Sequence, residues 1–218
     1  YVASSVPKVE KNNFDGKRVC IVNAVGDDQR VSSITSMIKD GGGQVELEDT
    51  ENIDLEHTEN IDLFVHITGN VPDFSKLTDL SRDEWDKLVN QFINTPALVT
   101  QSAIDTFVPG GSNDPRLFKD AKGRIVIIGP DLPAGKKISG HERAKVEVFR
   151  GAMRPFATTV NQELSDVLKS NVRAFLILPG TVDGKEPNDE NIMNTINYLM
   201  SDEAGSSSEV IFCPDETR

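Results

Sequence analysis

Short apolar segments alternate with longer amphipathic segments along most of this chain. The apolar segments are rich in Val, Ile, Leu and Phe, which is typical of strands buried on both faces of a sheet. They predict six strands, at Arg18–Val22, Gln44–Glu48, Leu63–Ile67, Ile125–Ile128, Ala174–Leu178 and Val210–Phe212.

Between these strands, apolar residues recur at helical spacing and predict helices. Glycines 41–43 end the first of these helices, and Pro96 predicts a kink in the second. The alternation predicts one α/β domain over residues 15–218, with a parallel sheet covered by helices on both faces, after a polar linker or arm at residues 1–14. The predicted helices are Val31–Lys39, Arg82–Phe107, Glu142–Lys169 and Asn188–Met200.

Composition narrows the classes of function. The 218 residues are 37% hydrophobic and 27% charged, as in an ordinary globular protein. The net charge of −12 repels phosphates and argues against nucleic acid or an anionic membrane as a partner. No apolar run approaches the ~18 residues of a membrane span. Cys20 and Cys213 predict neither a disulfide framework nor a metal site, and they fit a reducing, cytoplasmic compartment.

Residues 50–63 read TENIDLEHTENIDL, a direct repeat within the chain. Its second copy leads into the third predicted strand. Because no other segment repeats, we interpret it as a local duplication in a loop and not as a solenoid.

The stretch RVCIVNAVGDDQRV, residues 18–31, carries the first strand through a turn into the first helix. In α/β proteins such a junction binds phosphate through a glycine-rich turn at the positive end of the helix dipole. Here the turn has only Gly26, and Asp27 or Asp28 is expected to cap the helix with a carboxylate. The sequence therefore predicts a turn that disfavours a nucleotide phosphate.

An ordered set of segments resembles the short-chain dehydrogenase/reductase superfamily over nearly the whole chain after residue 14. The resemblance implies a Rossmann-like, doubly wound parallel sheet of about six strands, which in that family binds NAD(P) at the carboxyl ends of the strands. The family's edge strand and substrate lid are expected to be reduced or missing, because the corresponding connections are short. The segments are residues 18–30, DLFVHITG at 62–69, DEWDKLVNQF…LVTQSAI at 83–104, GRIVIIG at 123–129, FLILPGTVDG at 175–184 and NYLMSDEAGSSSEVIF at 197–212.

The resemblance assigns the family's catalytic Asn, Ser, Tyr and Lys to Phe92, Pro130, Val146 and Arg150. Phe, Pro and Val have no proton to transfer, and Arg stays charged at neutral pH. His141 and Lys145 repeat the Tyr–Lys spacing and form the fallback acid–base pair. His66, a lone histidine at a strand end, is able to bond backbone or ligand, but such a histidine is more often structural, and a structural role is expected here. The vestigial cofactor-binding positions are Asn23, Gly26, His66, Gly69, Pro179 and Gly180.

Together these losses predict a degenerate, catalytically inactive domain with no cofactor. It resembles the non-catalytic repeats of bifunctional malonyl-CoA reductases and of high-molecular-weight 3-oxoacyl-carrier-protein reductases. Its expected role is structural: to pair with an active short-chain reductase domain, in the same or a partner chain, within a larger acyl-thioester or aldehyde reductase. In the family, the helices at 82–107 and 142–169 often form a dimer interface, and we expect a homo- or pseudo-dimer here.

Two alternatives stay open at this point. The first is an active oxidoreductase that uses NADP or NAD in a remodelled site. The second is a ligand- or protein-binding module that keeps a vestigial cleft.

Overall fold

The computed structural model describes residues 12–24, 27–50, 60–72, 76–107, 121–132, 140–180, 189–201, 204 and 210–213. For residues 77, 140–142 and 210–213 it describes the backbone alone. None of the helices in these ranges is long and apolar enough to cross a bilayer.

A parallel sheet of six strands runs through the described part of the chain. The strands are β1 (Arg18–Asn23), β2 (Gln44–Asp49), β3 (Leu63–Ile67), β4 (Lys122–Ile128), β5 (Asn171–Pro179) and β6 (Val210–Cys213). Strands β2 and β3 pair with β1 on its opposite sides, and the later strands follow beyond β3 in the order β2-β1-β3-β4-β5-β6. The winding direction therefore switches between β1 and β3, and such a switch opens a crevice at the carboxyl ends of the strands.

Helices connect the strands. They are α1 (Asp28–Asp40), α2 (Arg82–Val89), α3 (Thr95–Thr106), α4 (Gly140–Gln162) and α5 (Asp189–Leu199). Ser81 begins α2 with a capping box, in which its hydroxyl accepts from the Glu84 backbone while the Glu84 carboxylate accepts from the Ser81 backbone. A π-helical turn at Asn90–Asn94 joins α2 to α3, and another at Glu163–Val167 follows α4.

The sheet has a hydrophobic core on each face because side chains alternate along each strand. On β3, Phe64 belongs to the core shared with α3 and α4. Leu63, Val65 and Ile67 belong to the core shared with α1 and α5. Both faces are thus covered by helices, as the near-continuous apolar strands predicted.

The predicted architecture is confirmed, and the structure changes only local boundaries. Five of the six strands extend beyond their predicted ends; for example, β5 includes Asn171–Pro179 where the apolar run suggested Ala174–Leu178. The predicted kink at Pro96 is a π-helical turn that ends just before it, with the proline in the first turn of α3. Most of the TENIDL repeat, at residues 51–59, lies outside the described residues.

The end of the predicted arm packs onto the domain. Phe14 is fully buried in the core shared with α1 and α5. The Asn13 backbone N–H donates to Asn197 Oδ1 at 3.0 Å, and its Nδ2 donates to the Asn197 carbonyl at 3.1 Å. These contacts fix the entry of the chain into β1, although the arm was predicted to run to residue 14.

Candidate functional site

The carboxyl ends of the central strands are held together by backbone hydrogen bonds that continue past the strands themselves. Each bond joins the residue that follows one strand to the last part of the next strand in the sheet. This ladder gives the crevice at the strand switch a rigid floor. The bonds run from the Ala24 N–H to the Ile67 carbonyl (2.8 Å), from Thr68 to Ile128 (3.0 Å) and from Gly129 to Ile177 (2.9 Å).

Arg30, in the first turn of α1, is the centre of a buried charge cluster at this edge. It is only 6% exposed, and its guanidinium contacts three carboxylates. Nη1 and Nη2 make a two-point contact with Asp131 at 3.1 and 2.8 Å. Nε donates to Asp189 at 3.0 Å, and Nη1 lies 3.0 Å from Asp27. The cluster joins the start of α1, the loop after β4 and the start of α5.

The pKa values in this cluster follow from burial and charge. Burial raises the pKa of Asp27, and the attraction of Arg30 only partly opposes that effect. For Arg30, burial favours the neutral form, but the hydrogen bond and charge of Asp131, together with Asp27 and Asp189, outweigh it and raise the pKa. Arg30 therefore stays charged, with more negative than positive charge around it.

The predicted helix cap is wrong in its detail. Asp27 does occupy the N-cap position of α1, but its side chain makes no capping hydrogen bond. Its carboxylate pairs instead with Arg30, three residues along the helix. The predicted concentration of acidic charge at this turn is nevertheless present, while Gly26 itself lies outside the described residues.

An open cleft of about 610 Å³ lies beside this edge, between the carboxyl ends of β1 and β2 and the helix α2. Gln91 anchors its wall, because its Nε2 donates to the Thr68 carbonyl after β3 at 2.8 Å. Asp83 and Asp86 contribute carboxylates to the rim. The remaining lining residues are Ala24, Thr50, Lys87, Asn90 and Thr95.

The positions that the resemblance assigns to proton transfer are apolar and buried. Phe92 is fully buried in the π-helical turn, and its ring centre lies 5.0 Å from that of Phe149 on α4. Val146, one turn before Phe149 on the same helix, is 5% exposed. Pro130 follows β4 and offers only its carbonyl. No side chain at these three positions can donate or accept a proton.

Arg150, at the position assigned to the family's lysine, is 2% exposed. Its Nη1 donates to the Pro130 carbonyl at 2.9 Å and to the Pro179 carbonyl at 2.5 Å. Burial lowers its pKa to about 10, and the charge of Glu147 opposes that shift without cancelling it. Arg150 thus joins the ends of β4 and β5 through neutral acceptors.

His66 on β3 is fully buried, and neither ring nitrogen has a hydrogen-bond partner in the part of the chain that the structure describes. No backbone group bonds to His66 among the described residues, and its expected structural role stays a prediction. Burial lowers its pKa to about 3, so the ring is neutral at physiological pH. It pairs across the sheet with Val22 and lies one row of side chains below Ala24 and Thr68.

The other predicted positions are dispersed around the same edge. Asn23 ends β1 with its Oδ1 buried and unpartnered, and Gly69 follows β3 with a positive φ of 74°, which suits glycine. Lys145 is buried on α4, whereas the His141 side chain lies outside the described residues. Gly180 directly follows β5. The structure thus places Asn23, His66, Gly69, Pro179 and Gly180 along one edge.

Sequence reasoning missed Arg30 as the centre of the charge cluster. The signal was present, because Arg30 precedes Ile34 and Ile38 at helical spacing and so lies on the apolar face of α1. A charge on a buried face needs partners. Those partners, Asp131 and Asp189, are 101 and 159 residues away in sequence.

No family model and no curated protein matches the sequence. Solved structures do match. A short-chain dehydrogenase from Mycobacterium smegmatis superposes with a TM-score of 0.67 at 14% identity, over 99% of both chains. One from Leptospira borgpetersenii with bound NAD+ gives 0.69 at 14%, over 94% of this chain and 95% of that one. A 3-ketoacyl-(acyl-carrier-protein) reductase from Brucella melitensis complexed with NADH gives 0.67 at 14%, over 91% and 96%.

The chain therefore has the fold of the short-chain dehydrogenases and reductases, a Rossmann-like α/β fold, as the sequence predicted. The prediction that no cofactor is involved is contradicted by these same structures, because members of the matching set were crystallised with NAD+ or NADH. The prediction had rested on the single glycine and two aspartates of the turn after β1, on the residues at the catalytic positions and on the short connections.

Proposed function

We propose that this chain is a nucleotide-binding domain of the short-chain dehydrogenase/reductase fold that transfers no hydride and serves as a structural partner of an active reductase of that fold. One observation carries the proposal. Phe92, Pro130 and Val146 stand where the family resemblance requires proton-transferring side chains. Phe92 is buried in an apolar cluster with Leu88 and Phe149, and Val146 is buried as well. Reduction of a carbonyl needs a proton as well as a hydride, and these residues supply none.

The nucleotide part rests on the cleft beside α2. Thr50, Asn90 and Gln91 bring hydroxyl and amide groups to a space of about 610 Å³. Such groups hydrogen-bond to the hydroxyls of a ribose and the edge of a base. A nicotinamide dinucleotide, when bound, supplies hydride chemistry. A diphosphate reaching the start of α1 would exchange for a carboxylate now bound to Arg30.

The structural part rests on the outer surface of the long helices. Trp85, Ile93 and Leu98 are 39%, 42% and 62% exposed along α2, the π-helical turn and α3. Val148 on α4 is 42% exposed. Large apolar side chains on neighbouring helices favour burial against another protein surface. We assign this surface to a homo- or pseudo-dimer with an active reductase domain, in the same or a partner chain, within a larger acyl-thioester or aldehyde reductase.

Titration with NADH and with NADPH tests nucleotide binding. Trp85 is the only tryptophan and belongs to the helix that lines the cleft, so excitation of Trp85 with emission from the bound nicotinamide reports occupancy. We expect saturable binding of at least one nucleotide. Asn90→Phe, which fills the cleft, should abolish it. Gln101→Phe, at an exposed position of α3 outside the cleft lining, is the control and should leave it unchanged.

Absorbance at the reduced-nicotinamide band, with aldehydes, ketones and acyl thioesters as substrates, tests the absence of hydride transfer. We expect no oxidation of the bound nucleotide. Turnover that saturates with substrate would overturn the non-catalytic assignment and favour an active, remodelled reductase, in which Lys145 and Arg150 are the first residues to substitute. Failure of both nucleotides to bind would overturn the nucleotide part.

A further inference from the structure

One carboxylate on α4 is shared by three guanidinium groups. Glu147 Oε2 lies 3.3 Å from Arg154 Nη2 and 3.9 Å from Arg150 Nε, and Glu147 Oε1 lies 3.7 Å from Arg143 Nε. Charge-assisted hydrogen bonds between nitrogen and carboxylate oxygen are usually about 2.7–2.9 Å long. All three distances exceed that range.

Arg150 is the least satisfied member of this group. Its Nη1 is occupied by two neutral carbonyls, of Pro130 and Pro179, and its Nε has no hydrogen-bond partner although it is buried. Among the described residues, no carboxylate oxygen comes nearer to the guanidinium than Glu147 at 3.9 Å. The bonds to neutral carbonyls therefore leave its positive charge without a close counter-ion.

Arg30 shows how the same chain compensates a buried arginine. Arg30 is 6% exposed and has carboxylates of three aspartates within 3.1 Å. Arg150 is 2% exposed and has none at that distance. The overall charge of −12 makes this contrast sharper, because acidic residues outnumber basic ones in the chain as a whole.

The place of Arg150 in the fold also matters. Pro130 follows β4 and Pro179 ends β5, so the guanidinium lies at the carboxyl edge of the sheet. Open α/β sheets bind their ligands outside this edge. Arg143 and Arg154, whose side chains are 64% and 31% exposed, extend the positive charge from Arg150 to the surface.

We propose that Arg150, Arg143 and Arg154 form a binding site for a small oxyanion, a carboxylate or phosphate group, and that Glu147 is its exchangeable internal occupant. The planar Nε edge of Arg150 suits an oxyanion that accepts hydrogen bonds side by side. Glu147 covers that edge at a distance too long for a hydrogen bond, and its side chain is 31% exposed. An incoming oxyanion displaces Glu147 and takes its place. The site does not depend on the nucleotide binding proposed above.

Isothermal titration with inorganic phosphate and, separately, with malonate tests the site. The wild-type chain should bind at least one of the two saturably, and the better of them identifies the preferred group. Glu147→Gln removes the competing charge without changing the shape of the side chain, and we expect it to tighten binding by about tenfold, the scale of one charge-assisted contact. Arg150→Gln, alone and combined with Glu147→Gln, should abolish binding.

Arg82→Gln is the matched control, because Arg82 is also an arginine paired with a carboxylate one helical turn away, Asp86 at 3.7 Å, but it is 91% exposed on α2. It should leave binding unchanged. Circular dichroism checks the fold of each variant. If Arg150→Gln does not fold, the proposal is still tested by two other variants. Glu147→Gln should bind the anion more tightly than the wild type, and Glu147→Gln/Arg143→Gln should lose that gain in affinity. Absence of saturable binding, or equal affinity in wild type and Glu147→Gln, would overturn the proposal.

Discussion

Arg30 and Asp131 make a two-point ion pair across the carboxyl edge of the sheet, with Nη1–Oδ1 and Nη2–Oδ2 distances of 3.1 and 2.8 Å. Asp131 also receives a backbone contact from the neighbouring loop, because its N–H donates to Asn70 Oδ1 at 3.1 Å. The pair therefore fixes α1 against two loops of the sheet edge. The relative positions of α1 and these loops at the candidate site therefore depend on the buried guanidinium of Arg30.

We expect Arg30→Leu to destabilise the fold by about 3–5 kcal/mol, because it leaves partly buried carboxylates without a counter-ion. Urea unfolding followed by circular dichroism measures the change. Arg82→Leu, at an exposed ion pair, should change the free energy of unfolding by less than about 1 kcal/mol. If both variants lost less than about 1 kcal/mol of the free energy of unfolding, the three carboxylates would not need Arg30 as their counter-ion.

His66 gives the fold a defined sensitivity to acid. Burial lowers its pKa to about 3 in the folded state, whereas an unfolded histidine titrates near 6.5. The unfolded state therefore takes up a proton first as the pH falls. The contribution of His66 is complete above about pH 6.5 and is lost at about 1.4 kcal/mol per pH unit as the pH falls towards the folded pKa.

The corresponding measurement is the free energy of unfolding of wild type and His66→Leu between pH 7 and pH 4. The variant has no titrating ring, so we expect its stability to fall less steeply than that of the wild type. The substitution also removes two buried ring nitrogens that have no hydrogen-bond partner among the described residues. Their removal should stabilise the variant at neutral pH by about 1–3 kcal/mol. Parallel pH curves for the two proteins would contradict a neutral, desolvated His66.

Asn161 on α4 substitutes for a neighbouring strand beside β5. Its Oδ1 accepts from the Ala174 N–H at 2.8 Å, and its Nδ2 donates to the Ala174 carbonyl. Among the described residues, the pairing of β6 with β5 begins at Leu176, so the amide takes the place of a strand beside Ala174. Because Asn161 is 4% exposed, water cannot replace it easily.

Asn161→Leu should therefore cost about 1–3 kcal/mol through the unpaired backbone groups of Ala174. Thermal unfolding checks this. Ser165→Ala, a half-buried position in the π-helical turn that follows, removes only solvent-exposed hydrogen bonds and should leave the midpoint unchanged within error. If both variants had the same unfolding midpoint as the wild type, the hydrogen bonds of Asn161 to Ala174 would make no measurable contribution to stability.

Leu98 and Ile93 test the proposed partner surface. Both side chains are largely exposed, so Leu98→Glu and Ile93→Glu should leave the stability of the domain within about 0.5 kcal/mol of wild type. If the helices form an interface, these variants should shift the chain to a smaller species in size-exclusion chromatography with light scattering. Leu47, which is 57% exposed on β2, provides the control, and Leu47→Glu should leave the size of the species unchanged. An unchanged mass for all three would contradict the surface assignment.

The sequence by itself determined the order and type of the elements. Strands buried on both faces need continuous apolar runs, and helices need apolar residues at helical spacing, so β3 and α1 can be found from local composition alone. The sequence also determined which side chains stand at the positions assigned to catalysis, because the identities of Phe92, Pro130 and Val146 are known without a structure. The family resemblance that assigned these positions depends on the order of short segments along the chain. That order is recognisable although the sequence is only 14% identical to the matching structures.

Only the tertiary structure decided which charges meet. Arg30 finds Asp131 and Asp189, and Arg150 finds the carbonyls of Pro130 and Pro179, because distant segments converge where parallel strands end. No local pattern reports such pairings, since the energy of a buried charge depends on every group that surrounds it and not on its neighbours in sequence. The same holds for His66, whose lack of partners is a property of the packed sheet.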